Sequence, residues 1–156
     1  MCRKDRFASI AYSEALNSDM DFKHGAIITK GSKVIVKGSN CGKRTKVLGQ
    51  IHGCVHAEID VANKLINGIL RSKKSNRNLK KYIIWVVRAP NDKKSQNQMK
   101  FRNSKPCKYC SKKLIELGFT KIGYSDDKGK IIIDFIKNIE DQVTSSTQIM
   151  LGKHFK

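Results

Sequence analysis

Apolar residues recur along this chain in two rhythms, helical and alternating, and the changes of rhythm mark its elements. Phe7, Ala11 and Ala15 return at helical spacing with Ala8 and Tyr12 beside them, which predicts a helix over residues 4–17 ended by Asn17-Ser18-Asp19. Ala26 to Thr29 and Val34 to Val36 are short β-prone runs, and Gly31-Ser32 between them suits a tight hairpin with glycine first. Gly38-Ser39-Asn40 closes the second run. Ile59, Ala62, Ile66 and Ile69 share one face of a helix predicted over residues 56–69. Tyr82 to Arg88 is apolar almost throughout, as in a strand covered on both faces. Residues 91–105 read as a long polar loop. Cys107, Cys110, Leu114 and Leu117 fall on one face of a second helix over residues 107–117, with Gly118 as its C-terminal cap. Residues 121–125 and 130–135 read as strands, and the turn Asp126-Asp127-Lys128-Gly129 is too short for a parallel crossover, so they pair antiparallel. A competing arrangement starts a helix near Ile132 and places the last strand at 147–151. The pattern is that of a single α/β domain over residues 1–156, its core about 7–135, with basic loops at 71–81 and 91–105 and a tail from 136 onward.

Two short motifs carry chemistry. His56-Ala57-Glu58 opens the first motif helix and Pro106-Cys107-Lys108-Tyr109-Cys110 opens the second. Their combination, H-x-E…P-C-x-x-C, is the signature of zinc deaminases. Catalytic zinc takes three protein ligands and keeps a fourth position open. His56, Cys107 and Cys110 would supply one imidazole and two thiolates, which balance the ion's charge. Glu58 would not bind the metal; it would shuttle protons from the attacking water to the substrate ring nitrogen and to the leaving ammonia. Cysteines at i and i+3 are neighbours on a helix face. Pro106 suits a helix start, and helix N-termini favour thiolates. A second arrangement recruits Cys54 as a fourth ligand and closes the site, which leaves Glu58 idle. A redox reading of Cys-x-x-Cys alone ignores His-Ala-Glu.

Charge adds a partner class. The chain carries 32 Lys+Arg against 13 Asp+Glu over 156 residues, a formal net charge of +19. Such a balance draws polyanions: nucleotides, nucleic acid or an acidic surface. Lys43, Arg44 and Lys46 precede the first motif helix, and Lys93, Lys94, Lys100, Arg102, Lys105 and Lys108 precede or enter the second, so both groups are expected around the mouth of the site. Arg71, Lys73, Lys74, Arg77, Lys80 and Lys81 follow the first helix and are expected at its far end. Arg88 ends the apolar strand, where open α/β sheets hold ligands. Five cysteines, an odd number, and the absence of an apolar run behind Met1-Cys2-Arg3-Lys4 point to a soluble intracellular protein, not secreted, with thiols free or metal-bound. The longest apolar run, Tyr82 to Val87, is too short to span a bilayer, so no membrane partner is expected. His24 reads first as structural, near the hairpin start, with a place beside the substrate as the alternative. His52 and His154 read as surface residues, Trp85 as core, and Cys2 and Cys41 as bystanders.

The order helix, hairpin, His-Ala-Glu helix, strand, Pro-Cys-x-x-Cys helix, strand resembles the cytidine deaminase superfamily, particularly its CMP/dCMP-type domains, over residues 7–135. Lys23-His24-Gly25-Ala26-Ile27-Ile28, Gly38-Ser39-Asn40 and Ser104-Lys105-Pro106-Cys107 are similar to that family, including deaminase-like proteins of large DNA viruses and protists. The resemblance implies a three-layer α/β/α fold with a mixed five-stranded sheet, one Zn2+ per subunit and a homo-oligomer. It implies hydrolytic deamination at C4 of a cytosine nucleoside or nucleotide. It also implies substrate contacts at Asn40 and at the backbone of Ala26. Apart from the resemblance, Ala57, Tyr109 between the two cysteines, as a pocket-lining or a packing residue, and Arg88 at the end of the apolar strand, facing a phosphate or a carboxylate, are further candidate contacts. The stretch between Glu58 and Pro106 is longer than in most members, which opens the substrate to two alternatives: a base in RNA or single-stranded DNA, or a deaminase fold kept for binding or packaging nucleic acid. A terminal antiparallel hairpin resembles the free-nucleoside branch and several toxin-like branches, and a helix before a parallel last strand the tRNA- and polynucleotide-editing branches.

Overall fold

In the computed structural model, residues 2–43, 45–72 and 78–139 are described. A five-stranded sheet runs through the middle, built from β1 (His24–Lys30), β2 (Lys33–Ser39), β5 (Tyr82–Arg88), β6 (Lys121–Ser125) and β7 (Ile131–Phe135). The spatial order is β2-β1-β5-β6-β7. Only the β5–β6 pair is parallel; β1–β2, β1–β5 and β6–β7 are antiparallel. The sheet is therefore mixed, and the expected terminal hairpin is present with Tyr124 opposite Ile132. Residues 147–151, where the competing arrangement put the last strand, lie outside the described residues, as does His154.

Side chains of a strand alternate between faces, and the two faces of this sheet feed two cores. Ile27, Trp85 and Val87 pack with Phe7, Ala8, Ala11, Tyr12 and Ala15 of helix α1 (Arg3–Ala15). Ala26, Ile28, Ile84 and Val86 pack with Ile59, Val61, Ala62 and Leu65 of α2 (Ala57–Arg71) and with Cys110 and Leu114 of α4 (Lys108–Leu117). Tyr82 to Arg88 reads as a continuous apolar run because β5 is covered on both sides. Trp85 is core, 3% exposed, with its indole N–H donating to Thr29 Oγ1 at 2.9 Å. Alanines on α1 let the helix lie almost on the sheet: a Cβ at Gly25 would strike the Ala11 carbonyl oxygen and the Ala15 amide.

Several details depart from the sequence pattern. A two-stranded hairpin, β3 (Thr45–Val47) and β4 (Gln50–His52), occupies what reads as a plain basic loop. Its turn holds Leu48 and Gly49 at φ of 50° and 82°. Leu is rare in that region, so the residue types give no warning of the turn. A short helix, α3 (Lys93–Asn97), forms within the polar stretch 91–105, where Asp92 caps it by accepting the Ser95 N–H at 2.7 Å. The predicted turn glycines behave as expected: Gly31 has φ 60°, and Gly118 caps α4 at φ 107°.

Candidate metal and catalytic site

Two helices on one face of the sheet begin close together, and the residues that cap them carry the chemistry. His56 is the N-cap of α2, with φ −75° and ψ 152°; Cys107 is the N-cap of α4, with φ −74° and ψ 165°. Both lie just outside their helices rather than in the first turn, because the cap residue keeps an extended backbone. Cys107 Sγ accepts the Cys110 N–H at 3.5 Å. Cys110 follows inside α4 and is wholly buried. The N-terminal ends of both helices thus face one point, and their dipoles favour thiolates there.

His56 Nδ1 stands 3.2 Å from Cys110 Sγ and 3.6 Å from Cys107 Sγ. One donor atom from each of the three lies within 4.8 Å of the others, the one such cluster among the described residues. A tetrahedral zinc with Zn–N of about 2.0 Å and Zn–S of about 2.3 Å places its nitrogen and sulfur ligands roughly 3.5 Å apart. The donor set and its spacing fit that ion. Cys54, the alternative fourth ligand, is buried but stands outside the cluster. Burial pushes its thiol pKa up, with the charge of Cys107 adding to the effect. The set is three ligands, leaving room for a fourth position.

Glu58 lies in the first turn of α2, 4% exposed. Burial raises its pKa above the usual carboxylate range, against the pull of the His56 charge. Burial also raises the Cys110 thiol, and the neighbouring Cys107 raises it further. For His56, burial works against the protonated form, but the hydrogen bond to Cys107 and the Glu58 charge outweigh it and the net shift is upward. Without an ion, then, the cluster favours protons on its carboxylate and thiol. A cation would displace the protons from the thiols.

Around this centre the predicted contacts fall in different places. Asn40, 4% exposed, accepts from the His24 N–H at 2.9 Å and the Ser18 hydroxyl, and donates to the Phe22 carbonyl at 2.7 Å and Met20 Sδ at 3.2 Å. Its amide is thus fully engaged in holding the segment 18–24. Ala26 lies within β1, between β2 and β5, and is fully buried, as is Ala57. Tyr109 is half-buried between the two cysteines, and His52 packs edge-on against its ring at 6.4 Å. His52 is only 4% exposed, not a surface residue: the β3–β4 hairpin folds it inward. His24 faces Arg88 across β1 and β5. Its ring is close enough to His56, Cys107 and Arg88 for their charges to act on it, which puts it beside the centre.

Ser104 is a contributor that residue type alone does not flag. Its hydroxyl donates to the Val86 carbonyl and accepts the Ser125 N–H, both at 2.8 Å, and it is buried. This clamp fixes the segment that delivers Pro106 and Cys107. Of the basic residues expected near the mouth, Lys43, Lys46, Lys93, Lys94, Lys100, Arg102 and Lys108 are exposed and Lys105 is half-buried. Arg71, Lys80 and Lys81 are exposed at the C-terminal side of α2; Arg44, Lys73, Lys74 and Arg77 lie outside the described residues. No helix among the described residues is long and apolar enough to cross a membrane.

Residues 1–125 match the family model for the cytidine and deoxycytidylate deaminase zinc-binding region. A crystal structure of dCMP deaminase from the cyanophage S-TIM5 in apo form is similar to this chain with a TM-score of 0.50 and 20% identity, covering 79% of this chain and 82% of that one. The same phage enzyme in complex with dCMP and dUMP gives a TM-score of 0.49 and 20% identity, covering 79% and 80%. A comparison with curated proteins gave no match. The apo phage structure shares the fold: an α/β architecture with a mixed five-stranded sheet of the cytidine-deaminase type.

Proposed function

The chain belongs to the cytidine and deoxycytidylate deaminase zinc-binding family, and from that premise we propose that it hydrolyses the amino group from C4 of a cytosine nucleoside or nucleotide, releasing ammonia. The observation that carries this reading is Glu58: a carboxylate 4% exposed in the first turn of the helix capped by His56, beside a three-donor cluster. A structural four-ligand site has no use for a buried acid at that point. Zinc, when bound by His56, Cys107 and Cys110, makes a water molecule nucleophilic near neutral pH.

The remaining work falls to the chain. Glu58 takes the water's proton, passes one to the ring nitrogen N3, and delivers one to the departing ammonia. Cytosine plus water gives uracil plus ammonia, so no other reactant is needed. The upward shift of the Glu58 pKa suits this duty, since a general acid–base works best with a pKa near the operating pH. Ala26 and Ala57, both small and fully buried, are the candidate backbone and side-chain neighbours of the ring. Asn40 holds the 18–24 segment in place through its bonds to Ser18, Phe22 and His24, and Tyr109 and Arg88 are the further candidate substrate contacts.

The antiparallel β6–β7 hairpin favours a free nucleoside or nucleotide, through its resemblance to that branch. The net charge of +19 favours a second reading, in which the same chemistry acts on a base of RNA or single-stranded DNA. The test is ammonia release by zinc-loaded protein from cytidine, deoxycytidine, CMP, dCMP and a cytosine-rich oligonucleotide. We expect release from at least one monomer, abolished in Glu58→Gln while zinc content is unchanged. Release from the oligonucleotide alone selects the second reading. Tight, salt-sensitive polynucleotide binding with no ammonia from any substrate overturns both and leaves a nucleic-acid-binding protein.

A further inference from the structure

Beyond the ligand cluster, two arginines lie side by side and form no ion pair among the described residues. Arg88 ends β5, and Arg102 is brought against it by a backbone bridge, its N–H donating to the Arg88 carbonyl at 2.9 Å. Arg102 comes from the long stretch between β5 and α4. The Arg88 guanidinium lies over the ring of Phe22, 4.3 Å from its centroid. Its Nε is buried and has no hydrogen-bond partner. Neither arginine takes part in an ion pair among the described residues, where Lys64–Asp60 is the pair formed. The carboxylate whose charge Arg102 reaches is Asp92, exposed and already accepting the Ser95 N–H.

We propose that Arg88 and Arg102 form an oxyanion site at the rim of the catalytic centre and that it receives a phosphate of the substrate. Contact with the Phe22 ring restrains the Arg88 guanidinium, and its planar fork matches two oxygens of one phosphate. An anion between the two cations relieves their mutual repulsion, and a phosphate oxygen is an acceptor of the kind the buried Nε lacks. The site is next to the centre rather than remote from it. His24 faces Arg88 in the β1–β5 register and also feels the charges of His56 and Cys107. Ser104 ties the Arg102-to-Cys107 segment onto Val86, two residues before Arg88. The proposal rests on the deaminase reading only for the base attached to the phosphate. Two sources share the chemistry: the monophosphate of a nucleotide and the backbone phosphate of a strand.

The test is calorimetric binding to zinc-loaded Glu58→Gln protein, which does not turn substrate over. The ligands are deoxycytidine, dCMP and a short deoxycytidine oligonucleotide without a terminal phosphate. We expect dCMP or the oligonucleotide to bind at least tenfold more tightly than deoxycytidine, and that ratio to fall roughly tenfold or more in Arg88→Gln. Inorganic phosphate should compete with the phosphorylated ligand and not with deoxycytidine. Whichever ligand loses its advantage identifies the source of the phosphate. Arg102→Gln, an exposed position, should lower the same ratio several-fold and serves if Arg88→Gln fails to fold. Equal binding of all three ligands, no binding, or a ratio that survives both substitutions overturns the proposal. A phosphate preference in protein that releases no ammonia removes the catalytic reading and leaves the anion site standing. Equal ammonia release from deoxycytidine and dCMP does the reverse.

Discussion

At the scale of single residues, His24 shows how the centre imposes itself on its surroundings. Its ring donates toward the Phe22 carbonyl from Nδ1 at 3.1 Å, and burial lowers its pKa from 6.5 to about 4. A depressed histidine stabilises the fold only while it is neutral. Its contribution is therefore complete above the unfolded value of 6.5 and is lost as pH falls toward 4. The shift corresponds to about 3 kcal/mol as an upper figure. We expect the metal-free protein to lose thermal stability between pH 6.5 and 4, and His24→Asn to flatten that part of the profile. Identical slopes in both proteins would assign the acid sensitivity to other groups. Glu58 works in the opposite sense, since its raised pKa makes the fold favour the protonated acid at low pH. The two residues can therefore be separated by substituting each in turn. In the sequence, Glu58 was legible because its place two residues after His56 belongs to a known signature. The setting of His24 was not, because it depends on β1 lying against β5, a pairing between residues far apart in the chain.

At the scale of elements, the site is an arrangement of helix starts, and this explains what the residue pattern did and did not reveal. The helices, the apolar strand and the final hairpin all carry strong periodicity, and each is present. The β3–β4 hairpin carries none: its strands are three residues each and its turn is made by Leu48 and Gly49. Consequently His52 looked like a surface residue, although the hairpin packs it against Tyr109. The same blindness applies to Ser104, whose value lies in three elements meeting. It joins the approach to α4 to β5 through Val86 and to β6 through Ser125, and the Ser125 hydroxyl in turn donates to the Arg102 carbonyl. Ser104→Ala leaves the buried Ser125 N–H without its acceptor, at a cost of about 1–3 kcal/mol. It also loosens the segment that positions Cys107, and outer-shell losses typically weaken metal affinity by about tenfold or more. We expect a lower melting temperature together with weaker zinc retention in chelator titrations, whereas Ser13→Ala on the exposed side of α1 changes neither. A stability loss with unchanged zinc affinity would confine Ser104 to packing.

At the scale of the whole molecule, the balance of charge sets a condition on stability as well as on partners. With 32 basic and 13 acidic residues, most cations have no acid to pair with, and Lys64–Asp60 is the ion pair formed among the described residues. The excess sits on exposed positions in two groups: Lys93, Lys94, Lys100 and Arg102 on the approach to α4, and Arg71, Lys80 and Lys81 at and beyond the end of α2. Compaction brings these like charges together, so folding works against its own field. Salt shortens the reach of that field to about 10 Å at 0.1 M and about 3 Å at 1 M. The melting temperature should therefore rise steeply as sodium chloride is added at low ionic strength and level off once the screening length falls below the spacing of the exposed lysines. A rim site built for phosphate predicts a second, separable effect: at matched ionic strength, phosphate should raise the melting temperature above the chloride value, and Arg88→Gln should remove that difference while leaving the chloride curve in place. A melting temperature indifferent to chloride would mean that the cations are too widely spread to repel one another appreciably. The charge would then bear on the capture of anionic substrates rather than on the stability of the fold.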